Sequence, residues 1–120
     1  QVVNHGVDAG LLAEVHARVG DFFGMPLGEK QRARRAPGES CGYASSFTGR
    51  FSSKLPWKET LSFHYSSPSS TSPSNGSTAV LDYFLKTLGP DFKHYGEVCQ
   101  AYCEAMGELS MGIMEVLGES

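Results

Sequence analysis

Four histidines, His5, His16, His64 and His94, are the residues of this chain best suited to holding a metal ion. An open Fe(II) site takes two histidines and one carboxylate on one face of the ion, leaving the other face for co-substrate and oxygen. The residues two places after the four histidines are Val7, Arg18, Ser66 and Gly96, so no His-x-carboxylate pair can form. Only a site gathered from scattered residues would remain. His5 sits in a strand-to-helix turn, where a lone histidine is read as structural. Cys99 and Cys103 stand four apart and face the same way on a helix. Two thiolates at that spacing could begin a metal site. Both lie beside an apolar stripe, however, where free cysteine behaves as a small hydrophobe, and core packing is the preferred reading. Lys30, Arg32, Arg34 and Arg35 form a basic cluster without interleaved aromatics for base stacking. It reads as a solvated helix end, with cations well placed near the C-terminal carbonyls.

The elements that must position these groups follow from pattern. Gln1 to Asn4 is rich in β-branched residues and reads as the tail of a strand, ended by the His5-Gly6 turn. Asp8 is a good N-cap for a helix to about Phe23, with Leu11, Leu12, Val15, Val19, Phe22 and Phe23 on one stripe. Gly24 stops it. Pro26 suits the first turn of a short helix to about Arg34. Pro37 to Arg50 reads as loop, with an extended piece around Gly42-Tyr43-Ala44. Trp57 to Phe63 alternates and is rich in strand formers. Ser66 to Thr78 holds seven serines and two prolines in thirteen residues, a composition that reads as a mobile loop. Ser77 or Thr78 then caps a helix to Leu88, stopped by Gly89-Pro90. From Phe92 to Leu117 apolar residues recur every three or four positions, a helix of about 39 Å whose stripe needs a large partner surface. The three cysteines, an odd count, read as free thiols.

With 120 residues, 40% hydrophobic and 19% charged, the chain suits one soluble globular segment. A net charge of −3 speaks against a general nucleic-acid partner. No apolar run reaches the roughly 20 residues that span a bilayer, and no leader pattern is present, so a cytoplasmic location is expected. The opening at Gln1 inside an apolar run fits a fragment.

Leu55-Pro56-Trp57-Lys58-Glu59-Thr60-Leu61-Ser62-Phe63 resembles, without a gap, the Leu-Pro-Trp-Lys-Glu-Thr signature of the plant gibberellin 20-oxidases. Asn4-His5-Gly6-Val7, Met25 to Arg35, Gly42 to Arg50 and Tyr102 to Met106 are also similar to that family. The resemblance implies a 2-oxoglutarate- and Fe(II)-dependent dioxygenase that oxidises carbon 20 of gibberellin precursors, with ascorbate supporting the iron. It implies an α+β chain: the N-terminal helices and first strands of a distorted jelly-roll (double-stranded β-helix) oxygenase, with the barrel core missing. Residues 1–65 would form the N-terminal region, 66–78 a mobile loop, and 79–120 helices that back the barrel. The family's iron histidines, iron aspartate and Arg-x-Ser anchor for 2-oxoglutarate would come after Ser120. Arg50-Phe51-Ser52 precedes the signature instead and is given no co-substrate role. No catalytic, cofactor-binding or metal residue is therefore assigned within the chain, and this segment alone is expected to be inactive. One alternating face of the signature strand would look into the substrate cavity, either Thr60 and Ser62 or Glu59 and Leu61. Hydroxyls suit a substrate with carboxyl and hydroxyl groups, which favours Thr60 and Ser62. The intact enzyme is expected to be a monomer, and the fragment prone to aggregate. Two other readings are weighed: a fragment of a flavonoid-type dioxygenase, and a non-catalytic helical module that binds a partner through the Phe92 to Leu117 stripe.

Overall fold

The computed structural model describes residues 2–45, 58–66 and 78–120. Trp57, the Arg50-Phe51-Ser52 stretch and most of the serine-rich segment lie outside the described residues. Helix α1 spans Ala9–Gly24 and starts as its sequence dictates, because an Asp8 carboxylate oxygen accepts from the Leu11 N–H at 2.9 Å. Helix α2, Leu27–Lys30, follows Pro26 and tightens into a 3₁₀ turn over Gln31–Ala33. The expected short helix to about Arg34 is therefore present, in two pitches.

The chain then doubles back. Strand β1 is Gly42–Ser45, so the extended piece expected there is a true strand. It pairs antiparallel with β2, Glu59–Ser62, in the register Gly42↔Ser62, Tyr43↔Leu61, Ala44↔Thr60 and Ser45↔Glu59. The Arg35 N–H donates to the Tyr43 carbonyl at 2.8 Å, which lays the segment after the 3₁₀ turn along β1. Only glycine allows this approach: Gly42 has φ +122°, and a Cβ there would stand 2.7 Å from the Arg35 Cα.

Two expectations for strands need correction. Val2 to Asn4 is not a strand; Val2 and Val3 are exposed, and Asn4 turns to a positive φ of 56°. β-Branched composition prepares a residue for a sheet but cannot supply the neighbouring strand. Phe63 leaves β2 and packs instead on Tyr83 and Phe84, with ring centroids 5.9 and 5.7 Å away.

Helix α3, Ala79–Leu88, has Thr78 at its N-cap, but the hydroxyl does not cap the backbone. Thr78 Oγ1 donates to Asp82 at 3.0 Å. The orphan Val80 N–H is taken up from another helix, by Gln100 Oε1 at 3.0 Å. Gly89 ends α3 at φ +94°, and a 3₁₀ turn at Pro90–Phe92 leads into α4, Lys93–Gly118. The core is made by Phe22 of α1, Ala33, Tyr43 of β1, Val80, Phe84 and Leu88 of α3, and Cys99 of α4, all buried. Helices α1 and α3 cover the first half of α4. In its last turns Met111, Ile113, Met114, Val116 and Leu117 are exposed.

Candidate functional site

The β1–β2 ribbon presents two faces of different character. Glu59 and Leu61 point toward the helices, and Leu61 packs on the core. Glu59 accepts from Lys30 Nζ at 2.8 and 3.1 Å and from the Tyr43 hydroxyl at 2.6 Å. Lys30 also donates to the Phe23 carbonyl, an orphan acceptor at the end of α1, at 2.9 Å. Lys30 is only 7% exposed, and its ammonium lies 5.7 Å from the centre of the Tyr43 ring. The hydrogen bond to Glu59 holds the Lys30 pKa above its ordinary value against the opposing pull of burial. The same bond, with the one from Tyr43, holds Glu59 below the ordinary carboxylate value. Burial, then the Glu59 carboxylate, pushes the Tyr43 phenol up. These three groups latch the ribbon to α1 and α2.

Thr60 and Ser62 lie on the other face by the strand's alternation. Thr60 Oγ1 reaches the Ala44 carbonyl at 3.5 Å, a long contact. Ser62 Oγ accepts from Arg35 Nη2 at 2.8 Å, and the same nitrogen lies 3.4 Å from the Gly42 carbonyl. Behind the ribbon, an apolar cavity of about 180 Å³ is walled by Leu61, Phe63, Phe22, Phe84, Cys99 and Tyr102, among others.

The basic cluster is a solvated helix end only in part, which corrects the sequence reading: Arg32 and Arg34 are exposed, Lys30 is buried and Arg35 half-buried. Lys30 is latched to Glu59, and Arg32 Nη2 donates to the Leu88 carbonyl at the end of α3 at 2.8 Å. Arg35 reaches the ribbon, and Arg34, exposed like Arg32, is the one of the four whose side chain makes no bond among the described residues. The partners stand 27 to 56 residues away along the chain, so local pattern carried no trace of them.

The four histidines are spread apart. His5 Nδ1 accepts from the Val7 N–H at 3.1 Å inside its turn. His64 bonds Ser40 at 2.9 Å, His94 bonds Glu14 at 2.7 Å, and His16 is exposed on α1. Among the described residues, no group of three or more histidine, cysteine, aspartate or glutamate side chains could hold a metal ion. Cys99 is buried in the core, its thiol pushed up to about 11 by burial, and Cys103 packs against that core. All three cysteines are free. No helix among the described residues is long and apolar enough to cross a membrane.

The arrangement is a small helical layer gripping a two-stranded ribbon, with Glu59 and Leu61 of the signature on the helix-facing side and Thr60 and Ser62 on the other. Residues 1–82 match the family model described as "non-haem dioxygenase in morphine synthesis N-terminal", and the chain belongs to that family. It is 60% identical to Gibberellin 20 oxidase 2 of Arabidopsis thaliana over 119 residues, covering 99% of this chain and 30% of the relative. It is 63% identical to Gibberellin 20 oxidase 1-A of Triticum aestivum over 120 residues, 100% of this chain and 31% of the relative. With Gibberellin 20 oxidase 1 of Oryza sativa subsp. japonica it shares 58% over 120 residues, 99% of this chain and 32% of the relative. The chain thus spans about a third of the length of the curated relatives it matches. No solved structure matches it.

Proposed function

We propose that this chain is the N-terminal part of a gibberellin 20-oxidase. In that reading the whole protein is a cytoplasmic 2-oxoglutarate- and Fe(II)-dependent dioxygenase that oxidises carbon 20 of gibberellin precursors on a jelly-roll barrel. The observation that carries it is 63% identity, along all 120 residues, to a relative bearing that name. The contribution of this part is positional. Lys30 and Tyr43 hold Glu59, and that latch sets which face of the signature strand is left for substrate. Thr60 and Ser62 occupy that face, which supports their assignment to the substrate cavity. Residues 1–65 and 79–120 are then two stretches of one helical layer, joined through the serine-rich segment 66–78.

The residues described do not fit an iron site. The histidines stand in four separate places, each of His5, His64 and His94 bonded to a different partner, and none is paired with a carboxylate in His-x-Asp spacing. No step of oxygen chemistry is therefore routed through this chain. Supplied with Fe(II), ascorbate, 2-oxoglutarate and a carbon-20 gibberellin, the 120 residues alone should release no succinate above a protein-free control. The protein extended to the length of its relatives should release succinate and oxidise the gibberellin. Succinate from the short chain would overturn the positional role. An extended protein that oxidises a flavonoid and leaves gibberellins untouched would overturn the substrate.

A further inference from the structure

We propose that Arg35 is a binding residue for a carboxylate of the substrate, held at the outer face of the ribbon by Ser62. This rests on the reading above, since gibberellins are apolar carboxylic acids. The backbone of Arg35 is fixed first, by its N–H bond to the Tyr43 carbonyl at 2.8 Å. Its side chain then crosses to β2, where Nη2 donates to Ser62 Oγ at 2.8 Å. A guanidinium carries five N–H donors, and its natural partner is a carboxylate gripped by two of them. Among the described residues Arg35 has no such partner. No carboxylate stands within ion-pair distance among the described residues, and its Nε is buried with no hydrogen bond there. Nη1 makes no hydrogen bond among them either. Among the described residues the end of the fork therefore has no partner and its charge no carboxylate, in a half-buried residue where that is costly.

Three surrounding features point the same way. Tyr83 Oη of α3 is a buried hydroxyl that has Thr87 beside it but no well-formed hydrogen bond among the described residues. Burial raises its pKa and Cys41 adds to the rise, while the Arg35 charge and hydrogen bonding toward Thr87 oppose it. Lys58 precedes β2 in the alternation that holds Thr60 and Ser62, and it is exposed without an ion pair among the described residues. The outer face thus offers cation, hydroxyl, hydroxyl and cation in turn. Finally, Arg34 is exposed with no side-chain bond among the described residues, and the two other neighbouring cations are spent: Lys30 on Glu59, and Arg32 on Glu29 and Leu88. Arg35 differs from them in reaching a hydroxyl where they reach carboxylates.

The competing role for Arg35 is to pin β2 mechanically, which would affect every ligand alike. The test separates the two in the protein extended to the length of its relatives and loaded with Fe(II) and 2-oxoglutarate. Binding of a carbon-20 gibberellin and of its methyl ester is measured by equilibrium dialysis, with KM for both co-substrates in parallel. Arg35→Gln should weaken binding of the acid about 10- to 100-fold, as loss of a charge-assisted pair does. It should leave the ester and the KM for 2-oxoglutarate unchanged. Arg35→Lys should recover part of the loss, and Ser62→Ala should cost the acid a few-fold through misorientation. Equal losses for acid and ester, or an unaltered acid, would refute the anchor while leaving the oxidase reading intact. A wild-type protein that oxidises no gibberellin precursor would remove both.

Discussion

A lysine as deeply buried as Lys30 has to be paired, and its three acceptor contacts come from two elements. The pH dependence of that pairing follows from the two directions of shift. Glu59 is held below its ordinary 4.5, so its share of stability is present above that pH and lost as pH falls through the depressed value. Lys30 is held above its ordinary 10.5, so its share is present below that pH and lost as pH rises through the raised value. The latch is therefore at full strength across the neutral range. Glu59→Gln should lower stability at pH 7 by about 1 to 2 kcal/mol, a figure already reduced because the carboxylate is about a third exposed and screened by water. Urea unfolding read at a series of pH values should show the gap between wild type and variant closing as the solution is acidified toward pH 3. A gap that stays constant over that range would mean that Glu59 acts through shape and not through charge.

Between elements, the contact of α3 with α4 depends on one missing side chain. A Cβ on Gly96 would meet Leu81 Cδ1 at 3.0 Å, the Leu81 Cα at 3.1 Å and Phe84 Cβ at 3.1 Å. Gly112, on the same helix, has nothing within 4 Å of that position. Alanine favours a helix over glycine by about 1 kcal/mol wherever nothing else intervenes. The two substitutions should therefore have opposite signs. Gly112→Ala should raise stability by up to about 1 kcal/mol, and Gly96→Ala should lower it by about 1 to 3 kcal/mol as the helices are forced apart. Thermal or urea midpoints of the two variants decide it, and a gain at Gly96 would show that α3 and α4 are not packed this closely. Gln100 ties the same two helices by accepting from Val80, which gives α3 an N-terminal cap from outside its own sequence.

At the scale of the molecule, the layer is finished at one end and open at the other. Five large apolar residues in seven, from Met111 to Leu117, are exposed, Val116 to 69%. They adjoin a groove of about 690 Å³ between α4 and residues 2–11. Soluble monomers seldom leave a continuous apolar face of this kind uncovered. The isolated chain should self-associate and bind a hydrophobic dye through the end of α4. Replacing Met111, Met114 and Val116 with glutamine or lysine should cut dye binding by more than half and shift the chain toward monomer by sedimentation, with helix content retained. Dye binding that survives this change would place the sticky surface on the ribbon instead, whose β2 strand has a single neighbouring strand among the described residues.

What the sequence determined by itself was mostly local. The Asp8 cap, the helices of α1, α3 and α4, the stop at Gly89-Pro90 and the strand character of Glu59 to Ser62 all follow from side chains a few residues apart. The family resemblance was legible for the same reason, because its signature is a contiguous run. Tertiary structure decided what depends on distant partners. It turned the Lys30–Arg35 cluster from a solvated end into three separate anchors, since Glu59, Leu88 and Ser62 are near only in space. It denied a strand to Val2–Asn4, because a strand exists only with a neighbour to bond. It moved the capping of Val80 from Thr78 to Gln100, and it turned Glu59 toward the helices, leaving Thr60 and Ser62 outward. Alternation alone can separate two faces of a strand. Which face turns inward is settled by the groups that bury against it, here a lysine and a tyrosine held by other elements.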